Sequence, residues 1–233
     1  MAALPPLSRM LKRAITRVRE RAAGLSTRLD VAWPCDDLGT AYGHHAVLTS
    51  RLGPGSVVYS FGLGLDISFD LELIARSGAR LWGFDPTPRS IAFVKAQALP
   101  PEFTLCEYGV AGHDGIVSFA APDNPEHISH SVVARKGATM IDFPVQRLST
   151  IMAALGHTRL DVLKLDVEGA EYDVLDEVLA QRMDIDQLLV EFHHQFATIP
   201  ARRTADALQR MRAAGYRVFH VADNLREFSL ARG

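Results

Sequence analysis

Cysteine is nearly missing from this chain of 233 residues: Cys35 and Cys106 stand far apart and outside any Cys-x-x-Cys spacing, which argues against a disulfide framework and against a cysteine zinc site. No apolar run reaches the length of a membrane span, and the first residues lack the uninterrupted apolar core of a secretory signal. The expectation is a soluble protein of a reducing cytoplasm. Charge of one sign is also lacking: the net charge is -2, with 22% charged and 48% hydrophobic residues, a balance that speaks against extended disorder and against nucleic acid as a partner. The glycine fingerprint of a dinucleotide turn is incomplete, because Gly62 and Gly64 are followed by Ile67 where a third glycine would stand.

What is there divides unevenly. Residues 1–24 carry Arg9, Lys12, Arg13, Arg17, Arg19 and Arg21 against Glu20, a charge of +5 that leaves -7 for the remainder. Leu7, Leu11, Ile15, Val18 and Ala22 fall on one side of a helix there. Such a basic amphipathic helix can dock its stripe on the domain or on a second subunit, the preferred expectation, or lie on an anionic membrane surface through residues 7–22. Residues 25–54 mix breakers with apolar residues and read as a lead-in covering one side of a sheet. Tyr42, His44 and His45 are candidates to line a site, although a surface loop is the more economical reading of the histidine pair, which has no third ligand at metal spacing.

From residue 55 onward, strands and helices alternate, so a single domain is expected over 55–233. Val57 to Phe61 reads as a strand closed by Gly62-Leu63-Gly64, then Asp66 and a helix through Ala75. Glycines at such a turn admit a ligand close to the backbone. Arg80 to Phe84 is a second strand ending in Asp85, an acid placed to accept ribose hydroxyls or simply to start the turn and cap the next helix, which runs through Gln97. Phe103 to Tyr108 is a third strand, and Ile116 to Ala120 a further, locally paired one. Pro122 to Gly137 is a long polar loop carrying His127, His130 and Ser131, suited to covering a substrate. Val145 to Leu155 predicts a short helix. Gln187 to His193 is another strand, with Glu191 and His193 on one face and Phe192 and His194 on the other. A helix over Arg203 to Ala214 and strands at Arg217 to Val221 and Glu227 to Leu230 close the chain, the last two forming an antiparallel end to a mostly parallel sheet.

The chain's most informative stretch is Asp161 to Glu171. Val162, Leu163 and Leu165 make a buried strand, Gly169 breaks it, and a helix follows with Ala170, Val174, Leu175, Val178 and Leu179 inward and Glu171, Asp173, Asp176 and Glu177 on much of the opposite side. Asp166 and Glu168 therefore stand at the carboxyl edge of a strand, where α/β sheets bind ligands. Acids in a first helical turn are equally explained by the helix dipole.

Leu163-Lys164-Leu165-Asp166-Val167-Glu168-Gly169-Ala170-Glu171 resembles the hallmark of FkbM-type S-adenosylmethionine-dependent methyltransferases, and the likeness extends over Ser56 to Leu230. The resemblance implies a Rossmann-like class I methyltransferase fold: a mostly parallel seven-stranded sheet, its last strand antiparallel, with helices on both faces. It implies S-adenosyl-L-methionine as cofactor, with Gly62, Leu63 and Gly64 at its methionine end, Asp85 at its ribose, Gly109-Val110 beside its adenine and Asp166 bordering the transferred methyl. It further implies an oxygen acceptor on a small metabolite or saccharide. One departure stands out: the family commonly has an acid before the glycine turn and a glycine after it, where this chain has Ser60 and Asp66; either Asp66 compensates by contacting the cofactor from the helix start, or the cofactor is held somewhat differently.

Removing a hydroxyl proton calls for a carboxylate or an imidazole. Glu168 and His193 are the candidates for base or acceptor orientation, with Asp166 beside the cofactor and Glu191 orienting His193. Asp166, Glu191 and His193 could instead hold a divalent metal, but no further acid is fixed at ligand spacing, so no metal is expected. A nicotinamide oxidoreductase and a non-catalytic nucleotide-binding module remain as alternatives.

Overall fold

The structure is a computed structural model and describes residues 16–120 and 140–233. The expectations for Leu7, Leu11 and Ile15, and for His127, His130 and Ser131 in the 122–137 loop, lie outside the described residues.

Residues 16–22 are helical (α1). A hairpin of β1 (Asp36–Leu38) and β2 (His45–Val47) follows, strands too short for their alternation to show in the sequence. The α/β alternation then opens with β3 (Val57–Phe61), α2 (Ser68–Ser77), β4 (Arg80–Phe84), α3 (Pro88–Lys95) and β5 (Phe103–Cys106). A small sheet interrupts it, built from β6 (Gly109–Val110), β7 (Gly115–Ala120) and β8 (Met140–Gln146). The strand β8 takes Val145 and Gln146, so the helix expected from Val145 begins only at Leu148, as α4 (Leu148–Leu155). The chain closes with β9 (Arg159–Leu165), α5 (Glu171–Ala180), β10 (Asp184–Glu191), α6 (Ala201–Ala213), β11 (Tyr216–Val221) and β12 (Glu227–Arg232).

The main sheet has seven strands in the order β11-β12-β10-β9-β3-β4-β5. All pairings are parallel except those of β12, which runs antiparallel to both neighbours, as the resemblance implied. Local chemistry sets the element ends. Gly78 adopts the left-handed conformation that stops α2, donating its N–H to the Ile74 carbonyl, and Pro88 opens α3 where its missing N–H is harmless.

Alternation along the strands splits the core into two layers. Tyr59, Phe61, Leu163, Leu165, Leu188 and Val190 face α4, α5 and α6, while Val58, Val162 and Leu189 face α2, α3 and the β1–β2 hairpin. Each such side chain, fully buried, stabilises the fold by about 1.5–3 kcal/mol. The chain steps outward from β3 to β4 and β5, then returns to β9 and β10 on the other side. The carboxyl ends of β3 and β9 therefore form a topological switch point, where a crevice opens.

The N-terminal helix departs from its expectation. Val18 is 67% exposed and Ala22 is exposed too, whereas Glu20 is buried. Glu20 lies 3.2 Å from His194 Nε2, and the contact continues through His194 Nδ1 to Thr204 Oγ1 (3.0 Å) and on to the Tyr172 hydroxyl (2.8 Å). A polar network, rather than the apolar stripe, fastens the described part of this helix to the domain.

Candidate active site

The crevice is organised by two loops that touch. At Gly62 (φ +81°) a Cβ would stand 1.9 Å from the Asp166 carbonyl oxygen, so only glycine lets the ends of β3 and β9 approach this closely. The Asp166 N–H donates back to the Phe61 carbonyl at 3.1 Å. Gly64 (φ +56°) also lines the cavity and has open space where its Cβ would be.

Asp85 holds this turn from the end of β4. Its Oδ2 accepts the N–H groups of Leu63 (3.0 Å) and Gly64 (3.1 Å), and its Oδ1 accepts the N–H (2.9 Å) and hydroxyl (2.7 Å) of Thr87. Four donors fill the acceptor capacity of one carboxylate. Asp85 thus pins the glycine turn and the start of α3, and ribose hydroxyls would have to compete with bonds it already makes. Asp66 is similarly engaged: it accepts the Thr40 hydroxyl and, at 2.9 Å, the Ser68 N–H at the start of α2. Those partners tie the lead-in to α2.

The cavity between the loops measures about 430 Å³. Gly62, Leu63, Gly64 and Asp85 line one part, and Asp166, Glu168, Glu191 and His193 another. The lead-in forms a wall. His45 packs edge-on against Phe69 at 5.2 Å, and burial together with the Lys164 charge pushes its pKa well below the ordinary 6.5. His44 pairs with Asp37 at 2.8 Å, which raises its pKa. The pair belongs to the pocket wall, contrary to the surface-loop reading.

The structure brings together all four residues expected to do chemistry. His193 is 3% exposed, and its Nε2 lies 3.5 Å from both Asp166 Oδ1 and Glu168 Oε2. Its other ring nitrogen faces Glu171 Oε1 at 3.5 Å. Burial opposes charge on the ring, but the carboxylates of Glu171, Glu168 and Asp166 outweigh it and hold the pKa at about 9. Glu191 moves the other way: burial first, then the Asp166 charge, raise its carboxyl to about 7. At neutral pH the ring is a cation and Glu191 is poised to exchange a proton. One ligand atom each from Asp166, Glu191 and His193 fall within 4.8 Å of one another, a spacing that could hold a divalent cation.

Glu171, read as part of the exposed face of α5, is fully buried and accepts the N–H groups of Gly169 and His193, both at 2.8 Å. Glu171 thus holds the His193 backbone, in addition to the charge contact between His193 and Glu191. The turn needs that anchor, since Glu168 (φ +51°) and Gly169 (φ +108°) both occupy left-handed backbone. Lys164 and Asp70 are pocket residues that the sequence reading passed over. Both left a signal: a lysine inside a buried strand, and an acid three and four residues before the inward-facing Leu73 and Ile74.

A doubly wound sheet with one antiparallel strand, and a glycine turn and acid-bearing strand ends at its switch point, defines the class I, Rossmann-like methyltransferase fold. Residues 49–218 match the family model described as the methyltransferase FkbM domain, and the chain belongs to that family. Among curated proteins it is similar to the rat protein called "Probable methyltransferase-like protein 24", 29% identical over 138 residues, and to its human counterpart, 28% identical. Each match takes in 58% of this chain and 32% of the relative, so the matched segment spans about a third of those proteins. Solved structures that resemble it include methyltransferase FkbM from Methylobacillus flagellatus (14% identity, 78% of this chain and 44% of that one, TM-score 0.47). Another is Aeropyrum pernix fibrillarin with natively bound S-adenosyl-L-methionine (10% identity, 78% and 66%, TM-score 0.42). No helix among the described residues is long and apolar enough to cross a membrane.

Proposed function

We propose that the chain is an S-adenosylmethionine-dependent methyltransferase acting on an oxygen of a small metabolite or saccharide. One observation carries the reading: in a member of the FkbM family, a pinned glycine turn and a cluster of carboxylates around a charged imidazole meet in a single cavity. The cavity suits the cofactor. The Ser90 hydroxyl is buried and has no hydrogen-bond partner, and it lines the end beside Asp85 where a nucleoside would need donors and acceptors.

When bound, S-adenosylmethionine supplies a methyl group on a sulfonium, open to in-line displacement. The protein's share is positioning and proton transfer. Glu191, with its pKa near 7, takes the acceptor hydroxyl's proton as that oxygen gains the methyl and S-adenosylhomocysteine is left behind. His193 stays protonated and holds Asp166 and Glu168 in place. Glu171 fixes the histidine through its backbone N–H. This assigns the base to Glu191 instead of His193 or Glu168.

The test is transfer of labelled methyl from S-adenosylmethionine to panels of hydroxylated metabolites, saccharides and amines. Label recovered as an alkali-stable ether is expected; label found only on amines would overturn the oxygen acceptor. The 4.8 Å grouping of Asp166, Glu191 and His193 favours a second reading, in which a divalent cation supports the acceptor oxygen. Activity lost to a chelator and restored by Mg²⁺ or Mn²⁺ would select it. For the N-terminal helix, the outward Val18 and Ala22 with neighbouring arginines support contact with an anionic membrane or a second subunit, which vesicle sedimentation and solution mass would separate.

A further inference from the structure

The family's acid before the glycine turn is missing here, since Ser60 occupies its place. The structure shows what stands around that gap. Ser60 and Lys164 are direct partners across β3 and β9, and Ser60 belongs to the sheet face covered by α2. From α2, Asp70 descends onto the same face. It is 1% exposed, lines the cavity beside Asp66 and Phe69, and its Oδ1 has no hydrogen-bond partner; burial pushes its pKa up, opposed by the Lys164 charge and the nearby Ser60 hydroxyl. The Lys164 ammonium acts on Asp70 through its charge, while its hydrogen bonds go to the carbonyls of Gly62 (3.0 Å) and Phe61 (3.5 Å).

A buried carboxyl oxygen left unpaired is costly, and one that lines a cavity can be completed by a group from outside the chain. Among the described residues, one of the cavity's buried orphan atoms is His193 Nδ1, which faces Glu171, and the other two lie apart from it, on Ser90 of α3 and Asp70 of α2. An elongated ligand with a nucleoside at one end and an ammonium at the other would satisfy both.

We infer that Asp70 replaces the missing strand acid, its carboxylate receiving the α-ammonium of the cofactor's methionine half while the Ser60 side chain leaves room for it. Asp66, which the sequence offered as a compensating residue, is already bonded to Thr40 and Ser68. The inference rests on the methyltransferase reading and is separable from it by the choice of ligand.

The experiment is calorimetric titration of wild type and Asp70→Asn with S-adenosylhomocysteine and with 5′-methylthioadenosine, which keeps the nucleoside and the sulfur but lacks the amino-acid head. Asp70→Asn is expected to weaken S-adenosylhomocysteine roughly ten- to a hundredfold and to leave methylthioadenosine within about twofold. Its melting temperature should hold, because the amide keeps the shape of the carboxyl and carries no charge for burial to oppose. The double variant Ser60→Asp, Asp70→Ser returns the acid to the strand and should recover most of the lost affinity. Equal loss for both ligands with a lowered melting temperature would mean that Asp70 is structural, and unchanged S-adenosylhomocysteine affinity would remove it from the site. If wild type bound neither ligand, the methyltransferase reading itself would fall, and the inference with it.

Discussion

The two loops that meet at the switch point balance their charges in opposite ways. After β3 and β4, Asp85 is saturated and Asp66 is engaged by backbone and hydroxyl donors. After β9 and β10, Asp166, Glu168 and Glu191 crowd one imidazole, and both Glu191 and His193 are driven far from their ordinary pKa values. A loop held by such donors is rigid and fit to shape a binding surface; one whose carboxylates crowd a single imidazole keeps its protons exchangeable, which is what chemistry requires. Replacements in the first should therefore register mainly in stability, and in the second mainly in turnover.

The largest effect is expected where the loops touch. Gly62→Ala puts a methyl against the Asp166 carbonyl in left-handed backbone and should cost upwards of about 4 kcal/mol or prevent folding, as read from denaturant melts. Glu191→Gln should lower kcat roughly a hundred- to ten-thousandfold with little change in melting temperature; full turnover in this variant would move the proton acceptor elsewhere. In the unaltered protein, turnover should rise as pH passes about 7, where Glu191 loses its proton, and fall above about 9, where His193 loses its charge. Asp85→Ala, on the saturated side, should cost about 2–4 kcal/mol of stability through four lost hydrogen bonds. A stable Asp85→Ala protein that has lost only cofactor affinity would blur the contrast between the loops.

The smallest effect concerns His45. Its folded pKa lies below the ordinary 6.5, so its contribution to stability is complete above that value and is lost as pH falls through the folded pKa. Melting temperature should therefore drop less between about pH 7 and pH 5 in His45→Gln than in the unaltered protein.

Much of this contrast could be read before the structure. The β3–α2–β4–α3 and β9–α5–β10 units were legible because apolar runs end abruptly at Gly62, Asp85 and Gly169. The cluster of Asp166, Glu168, Glu191 and His193 followed from strand ends and period-two alternation. Glu171 was not, because an acid in a first helical turn looks solvated whether it faces water or a buried backbone N–H. Asp70 was hidden in the same manner among the acids of α2, and its meaning depends on Ser60 and Lys164 pairing across two strands about a hundred residues apart. The lead-in's hairpin escaped because strands of three residues are too short to alternate.

Calorimetric titration of the unaltered protein with S-adenosylhomocysteine and, separately, with NAD tests the central claim most directly. Saturable one-to-one binding of S-adenosylhomocysteine, with none of NAD, is predicted; binding of NAD alone would contradict the account and return the glycine turn to a dinucleotide.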